Sequence, residues 1–369
     1  KGIPMMPRAD LLGEMMRNYK HAVNISGTHG KTTTTSMLTE ILLAADADPT
    51  ITVGGILPAI GGNIRVGGPE FFVAEACEYT NSFLSFFPTL EIILNIEADH
   101  LDFFKDLEDI RHSFRLFAQK LDENGVLIIN RDIERMEEIT EGLPCKVITF
   151  GKDPEKSIYS AADIVFDQLA RASYTLLIEG RPEGTITLGV PGMHNVYNSL
   201  SAIAASRELG ISMEKIRTGL LHFTGTNRRF EKKGEIGGVT VIDDYAHHPQ
   251  EIRATLTTAK NYPHKKLWCV FQPHTYTRTA ALLDDFVQAL MEADEVILAD
   301  IYAAREVNTI GISSADVAER IQAAGGKAHY IPSFDDIETF ILENCVPGDL
   351  LITMGAGDIV KVGEKLLGL

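Results

Sequence analysis

Apolar positions along this chain switch repeatedly between short continuous runs and helical spacing. Residues 22–26 read as a buried strand, and residues 33–43 carry Met37, Leu38, Ile41 and Leu42 on one helical face. A first helix is expected over 9–18. Further strands are expected over 71–74, 91–96, 126–130 and 146–150, with helices over 107–121 and 133–140. Such alternation predicts a mostly parallel sheet. Between 162 and 190 the texture turns β-rich and alternating, which predicts an antiparallel addition, and helices follow over 195–209 and 213–221.

Gly225-Thr226-Asn227 reads as a hinge, because a second alternation begins after it. Strands over 239–242, 266–271, 295–300 and 349–354 interleave with helices over 249–260, 279–292 and 314–324. The fold class is therefore α/β, a mostly parallel unit followed by a smaller Rossmann-like one. A length of 369 residues, too great for one ordinary core, agrees with two domains.

A net charge of −17 with no offsetting basic stripe argues against nucleic acid as a partner. It leaves room for a phosphate ligand, which needs only a local cluster of cations, backbone N–H groups and metal. No apolar run is long enough to cross a membrane and no secretion leader is evident, so a cytoplasmic protein is expected. Cys77, Cys145, Cys269 and Cys345 are far apart and lack metal or disulfide spacing, as reduced thiols would. The opening Lys1-Gly2-Ile3-Pro4 reads as a linker inside a longer protein.

The chemistry begins at Gly27-Thr28-His29-Gly30-Lys31-Thr32, set between a strand and a helix as a phosphate-binding loop would be. Lys31 would reach the β/γ-phosphates and the Thr32 hydroxyl a Mg²⁺ ion. Ile25 stands where such loops usually carry a further glycine. Glu75 ends one strand and His100 follows another, at the sheet edge where α/β proteins place ligands. Both suit a metal shared with phosphates; a solvated strand end and a packed histidine are the competing readings. Asn195 fits a helix cap, while Asn198, one turn on, offers a carboxamide to an adenine edge. Arg228 and Arg229 suit phosphate charge arriving at the hinge, or else a surface salt bridge. Asp243-Asp244-Tyr245-Ala246-His247-His248 and the run from Gln272 to Arg278 end two consecutive strands of the second domain. A chemistry divided across an interdomain cleft is expected.

In order along the chain, residues 27–34 (GTHGKTTT), 95–102 (NIEADHLD), 194–198 (HNVYN) and 225–230 (GTNRRF) resemble the ATP-dependent Mur ligases. Residues 243–249 (DDYAHHP) and 271–279 (FQPHTYTRT) extend the resemblance to members acting on L-alanine, over essentially the whole chain. It implies a linker over 1–20 following a UDP-binding domain, a P-loop-type ATPase domain over 21–224 and an amino-acid-binding domain over 225–369. It also implies ATP and Mg²⁺ as cofactors, UDP-N-acetylmuramate and L-alanine as substrates, and a monomer or homodimer. The lactyl carboxylate would become an acyl phosphate that the amine attacks.

By residue, the resemblance places Gly27, Thr28, His29, Gly30, Lys31, Thr32 and Thr33 around the phosphates and Thr32, Glu75 and His100 on magnesium. Asn195 and Asn198 would face adenine, Arg229 phosphate, and Asp244 ribose. Tyr245, His248, His274 and Arg278 would hold the amino acid; Lys31, His100, Arg229 and His248 would be catalytic. The chain departs from many relatives at Cys77-Glu78-Tyr79-Thr80, where they show Asp-Glu-Ser-Asp, and at Thr275, where some carry arginine. Ser113-Phe114-Arg115-Leu116 offers no lysine for carbamylation, so none is expected. The alternatives are a ligase that re-attaches recycled tripeptide and a nucleotide-binding module without turnover.

Overall fold

A computed structural model describes residues 5–369, so the first four residues of the expected linker lie outside the described residues. The chain forms two compact units that divide after Asn227, with the short segments 167–170 and 191–193 grouped with the second.

The first unit contains α1 (Arg8–Met16), β1 (His21–Ser26), α2 (Lys31–Ala44), β2 (Thr50–Leu57), β3 (Gly62–Arg65), β4 (Phe71–Glu75) and β5 (Leu90–Ile93). There follow α3 (Leu107–Ala118), β6 (Val126–Asn130), α4 (Glu137–Thr140), β7 (Lys146–Phe150), β8 (Tyr159–Phe166), β9 (Arg171–Ile178), β10 (Arg181–Pro191), α5 (Met193–Glu208) and α6 (Met213–His222). The strands form one sheet in the order β10-β9-β8-β7-β6-β5-β1-β4-β2-β3. β1 runs parallel to β4 and β5, and parallel pairing continues through β8; β3 and β9 pair antiparallel. Successive β1 residues feed opposite cores, as the pleat requires. Val23 and Ile25 join Met37 and Leu38 of α2 and Leu200 of α5. Ala22 joins Met16 of α1 and Phe114 and Phe117 of α3. Burial on both faces is why these strands read as nearly continuous apolar runs.

The second unit contains β11 (Glu231–Ile236), β12 (Val239–Asp244), α7 (Pro249–Lys260), β13 (Leu267–Phe271), α8 (Tyr276–Ala281) and α9 (Leu283–Leu290). It continues with β14 (Glu295–Leu298), α10 (Ser314–Ala323), β15 (Ala328–Tyr330), α11 (Phe334–Asn344), β16 (Leu350–Met354) and α12 (Val360–Leu366). Its sheet order is β11-β12-β16-β13-β14-β15, parallel except at β11. Placing β16 between β12 and β13 creates a switch point, and ligands bind at the C-terminal strand ends beside such a point. Ile252 and Leu256 of α7 and Phe286 of α9 cover one face, and Ile337 of α11 and Val362 of α12 the other.

Several expectations are corrected. The helix expected over 279–292 is interrupted at Leu282 (φ −115°, ψ 24°), giving α8 and α9. Over 133–140 only Glu137–Thr140 is α-helical, because Arg135 is held at φ 56°. β5 stops at Ile93, since the residues after it turn to grip the phosphate loop. The hinge is tied down: buried Thr226 donates its hydroxyl to Ser36 Oγ at 3.1 Å, and Asn227 N donates to Ile56 O at 3.1 Å. No helix among the described residues is long and apolar enough to cross a membrane.

Candidate functional site

β1 ends at Ser26 and α2 begins at Lys31, so the loop crosses the helix N-terminus, where free N–H groups and the dipole favour anions. Gly30 adopts φ 83°, and a Cβ there would come within 2.7 Å of Asn198 Oδ1. Backbone and packing both demand glycine. The residues after β5 staple the loop. Thr28 N donates to Asn95 O (3.2 Å), His29 N to Asn95 Oδ1 (2.7 Å), and Asn95 Nδ2 to His29 O (3.0 Å). Glu97 N donates to Thr28 Oγ1 (2.9 Å), and its carboxylate meets His29 Nε2 at 3.0 Å. Asn95 and Glu97 thus position the loop, a role invisible in a sequence where they look like the tail of a strand.

Lys31 folds back over the loop. Its ammonium donates to Gly27 O (2.5 Å), Thr28 O (3.1 Å) and the Glu78 carboxylate (3.0 and 3.2 Å). Burial, the largest single influence, works to lower its pKa, but the charge and hydrogen bond of Glu78, with weaker pulls from Cys77 and Glu75, together outweigh it and raise Lys31 above the ordinary lysine range. Glu75, at the end of β4, accepts from Gly54 N at 2.5 Å. The Gly54-Gly55 pair of β2 makes room for Glu75 and Thr32. A Cβ on Gly54 would lie 2.8 Å from Glu75 Oε2, and one on Gly55 3.1 Å from Thr32 Cγ2. His100, at φ 53°, lies 3.9 Å through Nε2 from Glu78 Oε1, with its ring 4.5 Å from that of Tyr79. The carboxylate linking Lys31 to His100 is therefore Glu78, the one residue of the Cys77-Glu78-Tyr79-Thr80 run that keeps the relatives' type and one that sequence reasoning gave no role. Thr32, Glu75, Glu78 and His100 stand at one sheet edge and offer mainly oxygens, of the kind a hard divalent cation prefers, although Glu75, Glu78 and His100 do not bring their ligand atoms within 4.8 Å of one another.

Asn195 and Asn198 lie in the first two turns of α5, buried, with Asn198 Nδ2 donating to Asn195 Oδ1 at 3.0 Å. Because α5 begins at Met193, Asn195 is not its cap. Gly30 brings Asn198 against the loop, and Thr33 sits half-buried in the first turn of α2.

In the second unit the two arginines part company. Arg228 is a strut: Nε donates to Asp243 Oδ2 (2.9 Å), and the terminal nitrogens hold Gly355 O (2.7 Å) and Gly357 O (3.1 Å). Arg229 lies 3.8 Å from Glu251 and 5.3 Å from the Tyr245 ring centre. Asp244 is buried and accepts from Phe230 N (2.9 Å), Ala246 N (2.8 Å) and Thr255 Oγ1 (3.1 Å). Burial, partly opposed by Arg229, pushes its carboxyl up to about 6. It thus shapes the turn after β12, beyond any part in holding ribose. His248 caps α7, its Nδ1 accepting from Gln250 N at 3.4 Å while Glu251 accepts from His248 N at 3.3 Å. That cap accounts for a histidine expected only for its chemistry.

Beside these, His274 accepts an Arg278 N–H at 3.1 Å, stacks on Tyr302 at 5.7 Å and meets His247 edge-on at 5.7 Å. His247 in turn contacts Tyr245 at 5.6 Å. Cation, imidazoles and phenols gathered at C-terminal strand ends suit a small carboxylate-bearing ligand.

A phosphate loop on a parallel sheet, with a switch-point edge in a second α/β unit, defines a nucleotide-dependent enzyme of two α/β units. Residues 25–206 match the Mur ligase middle domain and residues 228–357 the glutamate ligase domain of Mur ligases, and the chain belongs to the Mur ligase family, which is ATP-dependent. A relative from Lachnospira eligens, named UDP-N-acetylmuramate–L-alanine ligase, is 65% identical over 99% of this chain and 80% of its own. The structure of UDP-N-acetylmuramate-alanine ligase MurC from Thermotoga maritima superposes with a TM-score of 0.81 at 28% identity, covering 97% of this chain and 77% of its own. A murein peptide ligase from Psychrobacter arcticus reaches 0.72 at 26% identity, covering 100% and 81%.

Proposed function

We propose that this protein joins L-alanine to the lactyl carboxylate of UDP-N-acetylmuramate at the expense of ATP, in the cytoplasm, for peptidoglycan precursor synthesis. The observation that carries the reading is the 65% identity, over nearly the whole chain, to a relative of that name. The first unit takes the nucleotide. Lys31 meets the β/γ-phosphates, the loop N–H groups cradle them, and Asn195 and Asn198 face the base. Thr32, Glu75 and His100 would hold Mg²⁺, which when bound offsets phosphate charge as the carboxylate approaches. Without such neutralisation the anionic carboxylate and triphosphate repel each other, so Lys31 acts on the barrier itself. The second unit takes the amino acid: Arg278 pairs its carboxylate, and His274 and Tyr245 close around it. Attack by the neutral amine on the acyl phosphate forms the amide and expels phosphate. Phosphate release measured with UDP-N-acetylmuramate and either L-alanine or the cell-wall tripeptide tests this. Release with L-alanine is expected; release with the tripeptide alone would favour the murein peptide ligase reading.

A further inference from the structure

Glu78 is 2% exposed, yet it carries a carboxylate into the phosphate loop of an anion-binding unit. Its two oxygens take the Lys31 ammonium at 3.0 and 3.2 Å, and the other Lys31 contacts are carbonyls of the loop itself. The three ammonium protons are therefore spent internally. Glu78 is held there by an unusual turn: Thr80 and Asn81 follow it at φ 55° and 57°, both left-handed, and Asn81 bonds Ser113 of α3. A β-branched residue at positive φ is costly, so the aim of Glu78 is enforced by the surrounding structure.

We propose that Glu78 makes nucleotide uptake metal-dependent: its carboxylate competes with phosphate for Lys31 and repels a bare polyphosphate, so the nucleotide is admitted as its divalent-cation complex. The inference rests on the nucleotide reading of the loop. Free ADP arrives as an anion, must displace Glu78 from Lys31 and then lies a few ångström from the displaced charge. A bound cation removes that repulsion and gives Glu78 a partner in exchange for Lys31. Glu78 is a positioning residue in this scheme, acting through Lys31.

Titration calorimetry of ADP into the protein, once with EDTA and once with MgCl₂, provides the test. Wild type is expected to bind Mg·ADP much more tightly than free ADP. Glu78→Gln is expected to tighten free ADP by about tenfold, the order set by removing one charge a few ångström from an anion in a half-screened site. Mg·ADP binding is expected to change by much less, so the ratio of the two constants collapses. Glu78→Ser gives the same answer if glutamine does not fit the slot, and Glu78→Asp should keep the wild-type ratio. A purely structural Glu78 would weaken both forms together. An unchanged ratio in the folded Gln or Ser variant overturns the proposal, whereas a wild type that binds no ADP overturns the nucleotide reading as well.

Discussion

Replacing Glu91 with leucine should stabilise the first unit, and more so at high pH. Glu91 lies in β5 opposite Asn24 of β1 and Leu127 of β6, fully buried. Ile93 and Leu127, which share its face, belong to the apolar core beneath α3. Neither Glu91 oxygen has a hydrogen-bond partner; Ser26 is near, but its hydroxyl donates to Ile92 O at 2.8 Å. Burial holds the carboxyl well above the ordinary glutamate range. Leaving such a group unsatisfied costs about 1–3 kcal/mol, and burying a leucine contributes about 1.5–3 kcal/mol. Part of the leucine gain is offset by imperfect packing, so a net gain of about 3 kcal/mol at neutral pH is expected, or roughly 6–12 °C for a unit of this size. The sign with pH follows from proton counts. Above about pH 4.3, where an unfolded glutamate ionises, folded Glu91 keeps a proton that the unfolded chain releases. Wild-type stability therefore falls as pH rises toward the folded pKa, and the leucine variant lacks that loss. Scanning calorimetry at pH 5 and pH 8 reads the effect. The only tryptophan, Trp268, belongs to the second unit, so the transition silent in tryptophan fluorescence is the first unit's. A variant no more stable than wild type at pH 8, or one with equal gains at both pH values, would refute the reasoning.

Arg228→Ala should cost the second unit about 3–5 kcal/mol, because it strands the fully buried Asp243 with only the Thr353 hydroxyl (2.7 Å) and releases two carbonyls. Urea unfolding followed by Trp268 fluorescence measures it, and Arg228→Lys should recover little because it cannot reach all three acceptors. Arg278→Ala should raise the KM for L-alanine by about 10- to 100-fold, the worth of one charge-assisted hydrogen bond, while the KM for ATP stays near wild type. Steady-state phosphate release gives both values.

Periodicity made the larger fold legible, since β1, β6 and β7 are apolar runs buried on both faces and α7 carries a clean amphipathic pattern. It missed β2 and β3, where the Gly54-Gly55 pair and a bulge break the strand pattern. It also ran α8 and α9 together, because the break at Leu282 leaves no glycine or proline as a mark. At the site, the loop and Lys31 were readable because only small residues let a backbone close on phosphate. Glu78, Asn95 and Glu97 were not, since their roles arise from a left-handed turn and from loop-to-strand hydrogen bonds that no local spacing encodes. Asp244 and His248 were visible as polar residues at a strand end, but their parts in a turn and a helix cap emerge only from the backbone around them.

Every role proposed for the first unit depends on Lys31 meeting nucleotide phosphate. Phosphate release from ATP with UDP-N-acetylmuramate and L-alanine, compared between wild type and Lys31→Ala at matched thermal stability, tests that directly. Loss of turnover by about a hundredfold to a thousandfold or more is predicted, as for removal of a charge that stabilises the transition state. A folded Lys31→Ala protein that keeps wild-type turnover would contradict it.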